Sequence, residues 1–128
     1  MTTINVSEEC GNAPKKRVLR DLNIAFAEND AEFILDTVAD DVKWTTVGDE
    51  EIRGRDGVAD ALKRMQDADV SELTIHDVIT HGTAAAVDGE LKMADGATHA
   101  FCDVYGFTSH ARDAKIRSIR SYVHEVSD

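Results

Sequence analysis

From Ser71 to Val126 apolar and polar residues alternate with little interruption, the two-residue period of strands standing on a sheet. Two glycine-containing breaks divide this half, His81-Gly82 and Asp95-Gly96. Asp-Gly is among the strongest two-residue hairpin signals and His-Gly a weaker one. The pattern therefore predicts three consecutive antiparallel strands over 71–80, 83–94 and 97–108. A last strand, Lys115 to Val126, carries Ile116, Tyr122 and Val126 on one parity and Ile119 and Val123 on the other. Either a bulge or burial on both sides accounts for this, so its register stays open.

Before Ser71 the period is mostly helical. Pro14 suits a first helical turn, and Val18, Leu19, Leu22, Ala25 and Phe26 follow as one apolar stripe. Asn29-Asp30 ends that helix, and Asp30 caps a second that buries Phe33, Ile34, Thr37 and Val38. Val42, Trp44 and Thr46 then alternate with polar neighbours as a strand. Gly48 turns the chain, Glu51 to Arg53 returns, and Arg55-Asp56-Gly57 opens a third helix with Val58, Ala61, Leu62 and Met65 inward. Residues 1–12 are polar and unpatterned and are expected to be a loose tail, leaving 13–128 as a single domain. The predicted class is α+β, a curved antiparallel sheet packed against three N-terminal helices.

Charge and composition remove several function classes. The chain has 128 residues, with 14 Lys and Arg against 25 Asp and Glu, a formal net charge of −11. No basic stripe is present to meet phosphates, which excludes nucleic acid, and the same deficit disfavours anionic membrane surfaces. No apolar run is long enough to span a bilayer, and Met1 to Asn12 lacks the apolar core of a secretory leader. Two cysteines, Cys10 and Cys102, are too few for a disulfide framework, so a cytoplasmic location is expected.

Two-residue turns fix a sheet register. The one at 95–96 sets Asp88 opposite Asp103 and Ala86 opposite Tyr105; the one at 81–82 sets Asp77 opposite Ala86 and Ile75 opposite Asp88. One face then carries Ile75, Asp77, Asp88, Phe101, Asp103, Tyr105 and Phe107. The other carries Val78, Val87, Leu91, Met93, Ala100, Cys102 and Val104. A sheet with helices on one face and an apolar face left over implies a second subunit, so a homodimer through that outer face is expected.

The order of these elements, with Glu28-Asn29-Asp30-Ala31, Ala39-Asp40-Asp41-Val42-Lys43-Trp44, Arg53-Gly54-Arg55-Asp56-Gly57-Val58 and Phe101-Cys102-Asp103-Val104-Tyr105-Gly106-Phe107 at their spacing, resembles the nuclear transport factor 2-like superfamily. That group includes ketosteroid isomerases, limonene epoxide hydrolases and SnoaL-like polyketide cyclases. The resemblance covers residues 14–126 and implies a cone-shaped sheet enclosing a deep pocket, commonly in a dimer. It implies known catalytic sets only in pieces. Asp103 falls where the isomerases hold a neutral aspartic acid, but Thr46 stands at their base position and Leu22 at their tyrosine. Asp88 falls on the first aspartate of the epoxide hydrolases, with Ala86 where they carry arginine and His124 where they carry the closing aspartate.

Asp88 and Asp103 as direct cross-strand neighbours in an apolar pocket could not both ionise cheaply. They form either an acid–base pair or a structural pair neutralised by Lys92, Arg117 or Arg120. His124 is a third proton-handling candidate. Trp44, Tyr105, Phe101, Asp77, Ile75, Thr46 and Ile119 are the expected ligand-contacting residues. Five scattered histidines and no clustered carboxylate loop point to no metal, and no glycine-rich phosphate loop points to any cofactor. The expected function is a cofactor-independent acid–base enzyme of isomerase, cyclase or hydrolase type acting on an apolar small molecule. The alternative is a non-catalytic binding or dimerisation module.

Overall fold

The computed structural model describes residues 2–126; Met1 of the expected tail, and Ser127 and Asp128 of the expected domain, lie outside them. Helix α1 (Pro14–Glu28) begins with proline in its first turn and turns Leu19, Leu22, Asn23, Ala25 and Ala27 inward. It ends where Asn29 takes a left-handed conformation, φ 60°, and its backbone N–H reaches the carbonyls of Ala25 and Phe26. Asp30 at once caps α2 (Ala31–Thr37), its side chain accepting the Phe33 N–H at 3.2 Å. Strand β2 (Val38–Thr46) and the short β3 (Glu51–Arg53) lead into α3 (Gly54–Met65), which buries Val58, Ala61 and Leu62. Four long strands follow: β4 (Val70–His81), β5 (Ala84–Met93), β6 (Thr98–Phe107) and β7 (Ile116–Val126).

One further strand corrects the expected loose tail. Thr3–Val6 pairs parallel with β4, setting Ile4 beside Leu73 and Val6 beside Ile75, and a turn of 3-10 helix at Glu8–Gly11 buries Cys10. Numbering it β1, the sheet order is β1-β4-β5-β6-β7-β2-β3, open at both edges. The four long strands are antiparallel as expected, but the β1–β4 and β2–β7 pairs are parallel, so the sheet is mixed. The fold is α+β, with three helices against one sheet.

Both turn registers differ from expectation. At the β5–β6 turn Met93 N–H donates to Ala97 O and Gly96 N–H to Met93 O, closing a three-residue loop over Ala94, Asp95 and Gly96. Gly96 supplies the positive φ, 96°, that such a loop needs. The extra residue moves Asp103 opposite Val87 and Asp88 opposite Cys102. At the β4–β5 turn the loop is Gly82-Thr83, so His81 faces Ala84, and a bulge between Ile75 and Asp77 then absorbs one residue.

A one-residue slip exchanges the faces of a strand. The inner face therefore holds Val78, Ala85 and Val87, all buried, together with Leu91 and Met93. These residues do not belong to the outer face, as the two-residue turns implied. Asp88, Ala100, Cys102 and Val104 stand outside, with Ile79 and Tyr122 well exposed beside them. The closing strand is bulged: its pairing shifts between Gly106 and Phe107, which lets Ile116 and Ile119 both point inward.

Candidate active site

Between the sheet, the end of α1 and α3 lies a cavity of about 340 Å³, within the range of roughly 300–1,000 Å³ usual for small-molecule sites. Its walls are mostly apolar. Phe26 of α1 and Trp44 of β2 meet with ring centroids 5.2 Å apart at 54°, and Phe101, Leu73, Leu91 and Ile119 line the sheet side. Deeper down, Tyr105 and Phe107 are almost wholly buried and fill the space beneath.

One carboxyl group enters this space from the sheet. Asp103 projects inward from the middle of β6, two residues from Phe101 and two from Tyr105. Tyr105 donates its hydroxyl hydrogen to Asp103 Oδ2 at 3.2 Å, and Asn23 Nδ2 donates to the same phenolic oxygen at 3.1 Å. Asn23 also donates to the Leu19 carbonyl at 2.8 Å, one helical turn back, which fixes its rotamer. On the other side Ser121, directly across from Asp103 on β7, accepts the Trp44 indole N–H at 3.2 Å and sits beside the Asp103 carboxyl, whose ionised form it favours. Hydrogen bonds thus run from Asn23 through Tyr105 to Asp103, and a separate one joins Trp44 to Ser121 on the neighbouring strand.

Burial pushes the Asp103 carboxyl up from 3.8 to about 6, against the opposing pull of hydrogen bonds from Ser121 and Tyr105. The Tyr105 hydroxyl is driven well above its ordinary value, first by burial and then by the charge of Asp103. It therefore acts as a donor. A carboxyl poised near 6 can exchange a proton with a ligand at neutral pH in either direction. Among the described residues no Lys or Arg forms an ion pair with it.

Trp44, Thr46, Phe101 and Ile119 line the cavity with Asp103, while Tyr105 and Ile75 are buried behind it. Three other candidates lie elsewhere. Asp88 is on the outer face, where its Oδ1 accepts the Asp77 backbone N–H at 3.1 Å and so secures the β4 bulge. Asp77 is exposed beside it, and His124 is exposed on the outer face of β7, paired with Ala100. The carboxylate pair therefore does not form, because the three-residue turn places its members on opposite faces. The hydrolase-like positions do not converge on the cavity either: the same turn sets Asp88 and Ala86 outward, and the β6–β7 register sets His124 outward beside Ala100. Among the described residues no three His, Cys, Asp or Glu side chains come together as metal ligands.

Asn23 and Ser121 were not among the expected site residues. Each is a buried polar side chain in an apolar series, Asn23 one turn beyond Leu19 and Ser121 between Ile119 and Val123. A polar residue at a position the periodicity assigns to the core was the available signal.

The model of the SnoaL-like domain family matches residues 19–119. The chain belongs to this family. Among solved structures this SnoaL-like domain is similar to an NTF-2 like protein of unknown function from Burkholderia xenovorans, at 16% identity and a TM-score of 0.74, covering 90% of this chain and 86% of that one. An LEH-like epoxide hydrolase from M. tuberculosis superposes at 23% identity and a TM-score of 0.70, covering 84% and 80%. SalBIII, an epoxide hydrolase/cyclase-like enzyme with a role in pyran ring formation in the polyether salinomycin, does so at 17% identity and 0.71, covering 85% and 89%. Comparison with curated proteins finds no match. At these identities the likeness of the SnoaL-like domain to its neighbours establishes the fold and leaves the chemistry to its own residues.

Proposed function

We propose that this SnoaL-like domain is a cofactor-independent acid–base enzyme of isomerase, cyclase or hydrolase type, acting on an apolar small molecule. Asp103 moves the proton, and Trp44, Phe101, Thr46 and Ile119 hold the ligand. The observation that carries the reading is a buried carboxyl, Asp103, raised to about 6 by burial, in a cavity whose walls are mostly apolar. Tyr105 holds one carboxyl oxygen, Oδ2, in position, and the residue lines the cavity.

A second reading, a binding module without turnover, draws support from Thr46, which lines the cavity and cannot act as a base, and from the outward positions of Asp88 and His124. Deuterium exchange separates the two. Apolar ketones of one to three rings, incubated in D2O, should gain deuterium beside the carbonyl in the presence of the protein. Asp103→Asn should reduce this by about a hundredfold or more. Exchange at the solvent rate in both proteins favours the binding module.

We further propose a homodimer through the outer face around Ala100, Cys102, Val104, Ile79 and Tyr122, in a reducing cytoplasm where both cysteines stay free. Light scattering at micromolar concentration reads its mass directly; a 14.0 kDa species alone rejects it.

A further inference from the structure

We propose that the cavity selects a monocationic ligand, an apolar body bearing a protonated or quaternary amine, with the charge held between the aromatic wall and the Asp103 carboxylate. The inference rests on the reading of this cavity as a ligand site and names the class of ligand it takes.

The sign of the charge around the cavity is uniform among the described residues. Asp49 and Glu50 stand at the cavity rim and Asp103 inside, while no Lys, Arg or His lines the cavity among the described residues. An adjoining open cleft shares Ala27, Asn29 and Ala68 with the cavity and adds Glu28, Asp67 and Asp69, again with no cation among the described residues. Arg64 reaches Glu50 at 3.6 Å from outside, an exposed pair, and among the described residues neither Asp49 nor Asp103 has a cationic partner. An anionic ligand would meet like charge at the rim and inside, and a neutral one would gain nothing from it.

Inside, the aromatic wall adds a second attraction. Phe26, Trp44 and Phe101 all line the space that Asp103 enters. Aromatic faces attract cations, most strongly where water is excluded, and quaternary ammonium groups are held in this way. The Trp44 indole N–H is already spent on Ser121, so the ring contributes its π surface rather than a hydrogen-bond donor. A carboxylate without a cationic partner, beside such a wall, gives an ammonium both a counter-ion and a cage.

Trp44 is the only tryptophan of the chain and reports occupancy by its own fluorescence. The probes are 1-adamantanamine, 1-adamantanol and 1-adamantanecarboxylate, which share one apolar cage, differ in charge and do not absorb with indole. At about pH 7.5 the amine should bind about tenfold or more tightly than the alcohol, and the carboxylate weakest of all. Asp103→Asn should abolish the preference, amine and alcohol then binding with about equal affinity, and a retained response to the alcohol shows that the variant's cavity is intact. Equal affinity for amine and alcohol in the parent, or tightest binding of the carboxylate, overturns the inference while the ligand-site reading stands. An amine preference that survives in Asp103→Asn overturns the role given to Asp103. No response to any of the three overturns the inference and the ligand-site reading together.

Discussion

Tyr105 is 2% exposed, and its hydroxyl points at Asp103 Oδ2 from 3.2 Å, with Asn23 Nδ2 behind it at 3.1 Å. The phenol thus passes one hydrogen bond forward and takes one from behind. Tyr105→Phe removes a donor that favours the ionised carboxyl, so the Asp103 pKa should rise further above its value of about 6. It also strands one Asn23 hydrogen in the core, at a cost of about 1–3 kcal/mol. Carboxyl-selective NMR titration reads the first effect and urea unfolding the second; an unchanged pKa refutes the donor role.

The same burial sets a pH dependence of stability. In the unfolded chain the Asp103 carboxyl ionises near 3.8, and in the folded chain only near about 6. Between those values the folded state holds the extra proton. The contribution of this group is therefore fully present below the lower value and is lost as pH rises through the upper one. The shift corresponds to about 3 kcal/mol above it. Asp103→Asn should be more stable than the parent at about pH 7.5, with the difference vanishing near pH 4. Denaturant unfolding across that interval tests the sign: a variant less stable at neutral pH means that the ionised carboxylate stabilises the fold.

Ser121→Ala leaves the Trp44 indole N–H without its partner in a wall where Trp44 is only 8% exposed. The expected loss is about 1–3 kcal/mol. The Trp44 emission maximum should shift as its hydrogen bond disappears. Unfolding together with the emission spectrum of the folded variant gives both readouts.

Gly89→Ala tests close packing within the sheet. A methyl group there would collide with the Thr74 carbonyl oxygen and press on Phe101 Cζ at 3.1 Å. Neither neighbour can yield without moving a strand or the cavity wall, so a loss of about 1–3 kcal/mol is expected from unfolding curves. Stability equal to the parent would show that β4 is free to shift.

Asp88→Asn supplies the contrast. Its amide oxygen can still accept the Asp77 N–H, and the side chain stays on the far side of the sheet from the cavity. Affinity for any cavity ligand should be unchanged within error in calorimetry. A marked change would place Asp88 in communication with the cavity.

The helices were legible because an apolar stripe and a cap act within a few residues of each other. Asn29 and Asp30 end one helix and start the next without help from the rest of the chain. Trp44 and Thr46 could be set on one face because both belong to a single strand. Asp88 and Asp103 could not, since their relation depends on whether the loop between their strands holds two residues or three, and Asp95-Gly96 occurs in both. Strand β1 was hidden for another reason: it has four residues, only Ile4 and Val6 are apolar, and its partner lies some seventy positions away. Asn23 and Ser121 were visible as polar interruptions, but their purpose becomes plain only beside Tyr105, Trp44 and Asp103.

The loop Ala94-Asp95-Gly96 lies on the surface, where changes of length are ordinarily tolerated. Here its length acts as a reading frame for the sheet. Closing it as a two-residue turn over Asp95-Gly96, with Ala94 drawn into β5 and the β6 face kept, would rotate β5, carrying Val87 into solvent and Asp88 inward beside Asp103, two like charges in one apolar chamber. An exposed turn that touches no ligand thereby decides how many acids the interior contains, and selection on the chamber reaches out to a loop at the rim of the molecule.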